Sequence, residues 1–230
     1  MARSALIVGA GSGLSASLAR QCRAAGMDVA LAARDGARAR AVADETGAAL
    51  YQCDSSSIED VAALFSALDE TTGTPELVVY NPSARIAGAI TDLDPEDTRA
   101  AIEVTCFGAF LVAQQAVSRM LERGSGSILF TGASAGVKGF ARSSVFAMGK
   151  FGLRGLAQAL ARELHPQGIH VGHFVIDGGI RSELRPERTD DGGDRMLDPD
   201  AIAEAYLQFH KQHRSAWAWE IELRPWVETF

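Results

Sequence analysis

Short apolar runs alternate with longer segments of helical periodicity along most of the chain. The predicted strands are the runs at residues 5–8, 29–33, 48–52, 77–80, 128–131 and 171–176. Their continuous apolar character is typical of interior strands, which are buried on both faces in a parallel sheet. The alternation predicts an α/β fold, a single-domain doubly wound parallel sheet of about seven strands with helices on both faces.

Local signals mark the ends of several helices. Ser57, with Asp60 three residues later, resembles a capping box, and Asp94-Pro95 and Asp198-Pro199 each place a cap before a proline at the first helical position. Leucines at helical spacing predict the buried stripe of one long helix, namely Leu153, Leu156, Leu160 and Leu164. Residues 181–197 are rich in charge and glycine, and we expect them to form a loop that covers a substrate cleft.

Length and composition argue against several classes of protein. With 230 residues, 47% apolar content and 22% charged content, the chain supports one sizeable core, so we expect a single domain over residues 1–230. A net charge of -7 argues against nucleic-acid and anionic-membrane partners. The N-terminus shows no secretion-signal pattern, and no stretch of about eighteen consecutive apolar residues predicts a membrane span. We expect a cytoplasmic protein.

Neither the cysteines nor the histidines predict a metal site. Cys22, Cys53 and Cys106 are odd in number, far apart and without C-x-x-C spacing, so they also predict no disulfide framework. His170 and His173 differ by three positions and would point to opposite faces of a strand. We therefore expect no bound metal.

The first predicted strand leads into the glycine-rich segment Gly9-Ala10-Gly11-Ser12-Gly13-Leu14-Ser15, which opens a helix predicted to end near Ala25. Glycines let the backbone turn tightly and approach a pyrophosphate, and free N–H groups at a helix start attract its charge. The position between the first strand and the first helix favours a dinucleotide site of the Rossmann type over a purely structural turn. The predicted contacts are Gly9, Gly11, Ser12, Gly13 and Leu14.

This turn resembles that of the short-chain dehydrogenase/reductase family, Gly-x-x-x-Gly-x-Gly, with Gly9 and Gly13 at the first two glycines. Ser15 takes the third place, where a small side chain is tolerated with a slight displacement of the helix. Later segments resemble the family in the same order, namely Cys53-Asp54, Asn81-Pro82-Ser83-Ala84 and Gly178-Gly179-Ile180-Arg181-Ser182. The resemblance covers roughly residues 4 to 182.

The resemblance implies an oxidoreductase that binds a nicotinamide dinucleotide, acts on a small-molecule substrate and assembles as a homodimer or homotetramer. Asp54 would contact the adenine amino group, and Ser182 would hold the nicotinamide amide. The remaining cofactor contacts that the resemblance implies are Ser55, Asn81, Lys150, Gly178 and Ile180.

Arg34 indicates which dinucleotide to expect. It follows the second predicted strand, where dinucleotide sites recognise the adenosine ribose. A guanidinium there can pair with a 2′-phosphate, whereas an acid would accept hydrogen bonds from a free 2′-hydroxyl. We therefore predict NADP(H) as the preferred cofactor, and NAD(H) stays open because Asp35 follows directly.

The catalytic group of the family is only partly matched. Members usually carry an asparagine before the fifth strand, a serine after it, and Tyr-x-x-x-Lys on the next helix. Lys150 matches the lysine, which binds the ribose and lowers the tyrosine pKa. Phe146, Ala133 and Thr105 stand at the tyrosine, serine and asparagine positions. Ser134 is the candidate substitute for the serine, and the alternative is a loop serine that satisfies backbone groups. The predicted catalytic residues are therefore Lys150 and Ser134.

Other aromatic residues have structural explanations. Tyr80 lies near the expected cleft by sequence, but we expect it to pack in the core. Trp217, Trp219 and Trp226 stand at near-alternating positions and predict a final strand with core or subunit contacts.

Two functional hypotheses follow. The first is an NADP(H)-dependent oxidoreductase that acts on a carbonyl or a conjugated alkene with an atypical proton donor, motivated by the nucleotide motifs and Lys150. The second is a catalytically inactive NADP(H)-binding scaffold or redox sensor, motivated by Thr105, Ala133 and Phe146. A domain that binds no nucleotide conflicts with the ordered set of motifs.

Overall fold

The computed structural model describes residues 3–182, 188–189 and 192–228. Its strands are β1 Ser4–Val8, β2 Asp28–Ala33, β3 Ala49–Gln52, β4 Leu77–Tyr80, β5 Gly126–Thr131, β6 Ile169–Ile176, β7 Gly179–Ile180, β8 Met196–Leu197 and β9 Glu220–Leu223. A parallel sheet of seven strands runs in the order β3-β2-β1-β4-β5-β6-β9, and β7 pairs separately with β8. The predicted sheet is confirmed, and each predicted strand lies within two residues of its expected ends.

Helices connect consecutive strands of this sheet. They are α1 Leu14–Ala24, α2 Gly36–Thr46, α3 Ile58–Thr71, α4 Pro95–Ile102, α5 Gly108–Arg123, α6 Ser144–Leu164 and α7 Pro199–His210. A wider, π-helical turn at Glu103–Phe107 joins α4 to α5. The strand order reverses between β1 and β4, which creates a crevice at the carboxyl ends of the strands.

Two apolar clusters lie on opposite faces of the sheet, because successive strand residues point to alternate sides. Leu6 and Val8 of β1 pack with α3, α5 and α6, whereas Ala5 and Ile7 pack with α1, α2 and α7. In α6, Leu153 and Leu164 are buried and Leu156 and Leu160 are partly buried against the first cluster. The predicted leucine stripe is therefore confirmed.

The capping residues behave as their local sequence predicts. The Ser57 hydroxyl accepts a hydrogen bond from the Asp60 N–H at 3.0 Å. The carboxylates of Asp94 and Asp198 cap α4 and α7 in the same way, each before a proline in the first turn. These bonds satisfy backbone donors that have no partner inside the helix.

Two expectations need qualification. The proposed substrate-covering loop at 181–197 falls partly on residues 183–187 and 190–191, which lie outside the described residues, so its role stays a prediction. Its last two residues, Met196–Leu197, form strand β8 and are not loop. No membrane span was expected, yet the helical stretch Pro95–Arg123 is long and apolar enough to cross a membrane by length and composition. Its Leu111, Val112 and Ala116 are packed in the first apolar cluster, as expected of a core helix.

The tryptophans differ from the expected pattern. The final strand is present as β9, but all three indoles flank it instead of alternating along it. Trp217 stacks on His170 with ring centroids 4.4 Å apart, and Trp219 packs against the first apolar cluster. Trp226 is 82% exposed, so core packing is wrong for this residue. Its side chain donates a hydrogen bond to Asp194 at 3.0 Å.

Candidate active site

The carboxyl ends of β1, β4, β5 and β6 bring the predicted site residues to one edge of the sheet. Gly9 follows β1, Asn81 follows β4, and Ala133 and Ser134 follow β5. Lys150 reaches the end of β5 from α6, because its ammonium donates to the Thr131 carbonyl. This edge is where open α/β sheets bind ligands.

Gly9 makes the turn after β1 possible. Its φ is 83°, and a Cβ there would lie 2.8 Å from the Pro82 nitrogen. Its N–H and that of Ala10 donate to the Ala32 carbonyl at 2.9 and 3.0 Å. Only glycine fits this backbone without strain, so the turn is locked against both β2 and the segment after β4.

The remainder of the turn is open on its outer side. A Cβ at Gly11 or Gly13 would meet nothing within 4 Å. Gly13 is the residue before α1, and no side chain caps this helix start. The Ala16 N–H donates to the Gly13 carbonyl at 2.9 Å, whereas within the described residues the N–H groups of Leu14 and Ser15 make no hydrogen bond. These two donors are left for an anion, as a pyrophosphate site requires.

Ser15 has a specific role that the sequence comparison did not anticipate. Its buried hydroxyl donates to the Gly9 carbonyl at 2.9 Å and accepts a hydrogen bond from the Asn81 side chain at 2.8 Å. Ser15 therefore connects the turn, α1 and the segment after β4, where a glycine would only leave space. The one signal in the sequence was a hydroxyl at a position that usually has none.

Arg34 and Asp35 have different surroundings at the end of β2. The Asp35 carboxylate accepts a hydrogen bond from the Ala37 N–H at 3.0 Å and lies 3.4 Å from the Arg38 guanidinium. It is therefore engaged in capping α2. Arg34 is exposed and, among the residues that the structure describes, makes no hydrogen bond or ion pair. Its guanidinium is available to a ligand.

Asp54 is held as an ionised carboxylate after β3. It accepts hydrogen bonds from the Ser56 hydroxyl at 2.6 Å and the Ser56 N–H at 3.0 Å. The bond from the Ser56 hydroxyl is the largest influence on the Asp54 pKa, which lies below its ordinary value, and the charge of Arg34 adds to the effect. Its neighbour Ser55 is buried, and its hydroxyl accepts a hydrogen bond from Tyr80 at 3.1 Å.

Lys150 is buried at the base of the site. Only 2% of the residue is exposed, and its Nζ donates to the Thr131 carbonyl oxygen at 2.6 Å. Burial lowers the pKa of Lys150 to about 7, because the charged form loses water. The Thr131 hydroxyl in turn accepts a hydrogen bond from Tyr206 at 3.0 Å. Lys150 is therefore held in one position by β5.

Phe146 lies one helical turn before Lys150 and is half-buried. Its ring centroid is 5.8 Å from the Lys150 Nζ and 5.3 Å from the Arg85 guanidinium carbon. Phe146 cannot donate or accept a proton. Sequence reasoning missed Arg85, although it directly follows the segment Asn81-Pro82-Ser83-Ala84.

The hydroxyls of all three tyrosines are engaged away from this position. Tyr51 pairs with Thr71, while Tyr206 is buried against Thr131. Tyr80 is fully buried, and its hydroxyl lies within hydrogen-bond distance of both the Ser55 hydroxyl and the Val104 carbonyl. Burial raises the Tyr80 pKa far above its ordinary value, so this side chain packs in the core and does not exchange protons.

Ser134 and Thr105 differ in their availability. Thr105 is buried in the π-helical turn, where its hydroxyl accepts a hydrogen bond from the Ala84 N–H at 3.1 Å. Ser134 begins a short 3-10 turn, and its carbonyl accepts bonds from Val137 and Lys138. Within the described part of the chain its hydroxyl has no hydrogen-bond partner, so it can bind a ligand. Ala133 offers no polar side-chain atom.

The segment after β6 closes the other side of the site. Asp177 stands between Lys138 and Arg224, each 3.6 Å away, and so ties the turn after β5 to the end of β9. A Cβ at Gly178 would lie 2.8 Å from Pro225. Ile180 is half-buried in β7, and the Ser182 N–H donates to the Arg188 carbonyl at 3.0 Å.

The histidines of β6 have separate surroundings. His173 pairs with the Glu220 carboxylate at 2.9 Å, and His170 bonds the Ala218 carbonyl at 2.9 Å. Burial lowers the pKa of His173 to about 4, so the ring is neutral near pH 7. Among the described residues, no group of three metal-ligating side chains comes together.

Known proteins resemble the chain over nearly its whole length. The family model described as short chain dehydrogenase matches residues 3–192. An uncharacterized oxidoreductase of Staphylococcus aureus is 26% identical over 227 residues, or 96% of each chain. A short-chain dehydrogenase structure from Rhodopseudomonas palustris is 30% identical, with a TM-score of 0.84 over 97% of this chain and 99% of its own. A variant of actinorhodin polyketide ketoreductase, solved with NADPH, is 25% identical, with a TM-score of 0.88 over 97% of this chain and 96% of its own.

Proposed function

The chain belongs to the short-chain dehydrogenase family, and on that premise we propose that it is an oxidoreductase that uses NADP(H) on a small-molecule carbonyl or conjugated alkene. The observation that carries the proposal is the uncapped start of α1 beside a turn with open space at Gly11 and Gly13. An anionic dinucleotide fits this arrangement, because the helix start offers unpaired donors and partial positive charge. When bound, the nicotinamide supplies or accepts the hydride.

The preference for NADP(H) is supported by the surroundings of Arg34. Asp35 is engaged in capping α2, and Arg34 makes no hydrogen bond or ion pair among the described residues, although its charge lowers the pKa of Asp54. A guanidinium binds a phosphate through two parallel hydrogen bonds. The ketoreductase variant to which the chain is similar was solved with NADPH, which agrees with this choice.

Side chains at the carboxyl edge of the sheet would hold the cofactor and the substrate. Lys150 would hold the ribose hydroxyls, since Thr131 fixes its ammonium at the end of β5. Ser134 would donate a hydrogen bond to the oxygen of the substrate. Because Phe146 carries no proton, we propose that water supplies or removes the proton of the reaction. The protein is proposed to act in the cytoplasm.

A catalytically inactive NADP(H)-binding scaffold or redox sensor is the second candidate. One observation favours it: no tyrosine hydroxyl reaches Lys150, and Ala133 offers no donor beside it. A screen of carbonyl and enoyl compounds that follows NADPH absorbance distinguishes the two functions. Turnover of any compound supports the oxidoreductase. Tight NADPH binding with no turnover across the screen would establish the scaffold or sensor.

The isolated protein is expected to bind NADPH at least about tenfold more tightly than NADH, since a charge-assisted phosphate contact stabilises the complex by roughly 1.5–3 kcal/mol. The Arg34→Ala variant should lose this preference, because the guanidinium would no longer meet the 2′-phosphate. Isothermal calorimetry with both nucleotides measures the ratio. Arg40→Ala, which also removes one arginine from the region of α2, is the matched control and should keep it. Equal affinities in the unmodified protein would refute the NADP(H) preference.

Self-association is proposed to use an apolar surface on α5, α6 and the π-helical turn before α5. Phe107, Phe110, Met148 and Phe151 are between 41% and 56% exposed. The π-helical turn meets α6 where the Cys106 sulfur lies 2.8 Å from the position of a Cβ on Gly152. Exposed aromatic residues that form one surface are typical of subunit interfaces.

The double variant Phe110→Glu with Phe151→Glu is expected to elute as a monomer, because two carboxylates cannot be buried without partners. Size-exclusion chromatography with light scattering compares its mass with that of the unmodified chain. Ile58→Glu replaces a residue that is 59% exposed at the start of α3, and this variant should keep the native oligomeric state. A monomeric unmodified chain, or an unchanged mass in the double variant, would contradict the proposed interface.

A further inference from the structure

Arg85 is a second cation beside the Phe146 ring. Its guanidinium carbon lies 5.3 Å from the ring centroid, within the range of a cation–π contact. The residue is exposed and makes no hydrogen bond or ion pair within the part of the chain that the structure describes. All of its N–H donors are therefore available to a ligand.

Arg85 lies in an acidic protein with a net charge of -7, in which carboxylates outnumber lysines and arginines. Many arginines elsewhere in the described residues pair with carboxylates, for example in the pairs Arg3–Glu76, Arg20–Glu45 and Arg119–Asp69. Lys150, the other cation near the Phe146 ring, already donates to the Thr131 carbonyl. Of the two cations beside the Phe146 ring, Arg85 is therefore the one with N–H donors that make no hydrogen bond among the described residues.

The backbone around Arg85 is held in place on both sides. The Ala84 N–H donates to the buried Thr105 hydroxyl at 3.1 Å. Three residues after Arg85, the Gly88 N–H donates to the Arg142 carbonyl at 3.0 Å. The guanidinium therefore extends from an anchored segment at the carboxyl end of β4, on the same edge of the sheet as the nucleotide turn. A group held in advance binds its partner at a lower cost in conformational entropy.

The Arg85 guanidinium and the Phe146 ring together favour an anionic ligand. A guanidinium is planar and presents donors in a fork that matches the two oxygens of a carboxylate. The Phe146 ring shields one side of the guanidinium from water, which strengthens its attraction for an anion. A hydroxyl at position 146 would instead compete for the same donors.

We propose that Arg85 binds a carboxylate of the substrate, so that the substrate class is a carbonyl or conjugated alkene compound that carries a carboxylate near the reacting carbon. The inference rests on the proposed oxidoreductase function and deepens it, because it names what the cleft recognises. Arg85 is a substrate-binding residue in this proposal and takes no part in proton transfer, since its guanidinium does not release a proton near neutral pH.

The test compares a charged probe with its neutral isostere. We expect the unmodified protein to bind 2-oxobutanoate about tenfold or more tightly than 2-oxobutanamide, both with and without bound NADP+. In Arg85→Met the two affinities should become equal, while the circular dichroism spectrum and NADPH affinity stay unchanged. Arg162→Met removes one exposed arginine from the far end of α6 and should keep the tenfold ratio.

The outcomes separate this inference from the proposed function. A carboxylate preference that survives in Arg85→Met, or its absence in an unmodified protein that binds NADPH, would overturn the role of Arg85 alone. Absence of NADPH binding would overturn the proposed function. Titration of the nucleotide-free protein would then still report whether Arg85 recognises the carboxylate.

Discussion

The double variant Phe146→Tyr with Ala133→Ser is expected to reduce carbonyl compounds about 10² to 10⁴ times faster than the unmodified protein, the range typical of general acid catalysis. A phenol at position 146 would lie on the same helix face as Lys150, whose Nζ is 5.8 Å from the ring centroid. The ammonium charge would lower the pKa of that phenol. A serine at position 133 would place a second donor beside it, after β5.

Steady-state kinetics with NADPH and a panel of aldehydes and ketones measures this gain. Phe151→Tyr makes the same chemical change on the same helix, at a ring that is 46% exposed, and serves as the control with no expected gain. NADPH affinity should be equal in all three proteins. If the double variant binds NADPH normally and stays inert, the substrate cleft itself has diverged from that of a carbonyl reductase.

The Gly9→Ala variant is expected to bind NADPH on the order of 100-fold more weakly. The φ of 83° at Gly9 costs an alanine about 1–2 kcal/mol. The new Cβ would also lie 2.8 Å from the Pro82 nitrogen, and relief of such a clash costs roughly another 1–3 kcal/mol. Because Ser15 bonds both the Gly9 carbonyl and Asn81, the displacement would spread from the turn to the segment after β4.

Calorimetric titration with NADPH measures the loss, and thermal unfolding by circular dichroism shows whether the fold persists. Gly73→Ala is the matched control: its φ is also positive, at 71°, but a Cβ there meets nothing within 4 Å and the residue lies away from the nucleotide turn. This variant should lose a similar part of its stability through backbone strain and keep its NADPH affinity. Unchanged affinity in Gly9→Ala would place the dinucleotide elsewhere on the protein.

The helix caps and strands were predictable because their signals are local. Ser57 and Asp94 cap helices through bonds to backbone atoms two or three residues away, and neighbouring residues in the sequence are sufficient to specify such bonds. The apolar strands lie within two residues of their predicted ends, because burial on both faces of a parallel sheet demands continuous apolar sequence. The glycine turn was equally predictable, since the backbone conformation at Gly9 excludes other residues.

The details of the candidate site depend on contacts between distant parts of the chain. Ser15 and Asn81 are 66 residues apart, and Lys150 meets Thr131 across 19 residues. Nothing in the local sequence around Arg85 indicates that its side chain lies over Phe146. Likewise, the tryptophans flank β9 because β9 is shorter than their spacing suggested.

The order of strands and helices, the place of the glycine turn after β1 and the lack of a phenol at position 146 can all be read from the chain without a structure. Packing between distant segments leaves Arg34 without an ion pair among the described residues while Asp35 caps α2, and it brings Arg85 beside Phe146. Periodicity and backbone conformation act over a few residues, so neighbours in the chain are enough to specify them. The partner of a side chain at the cleft depends on how several elements pack together.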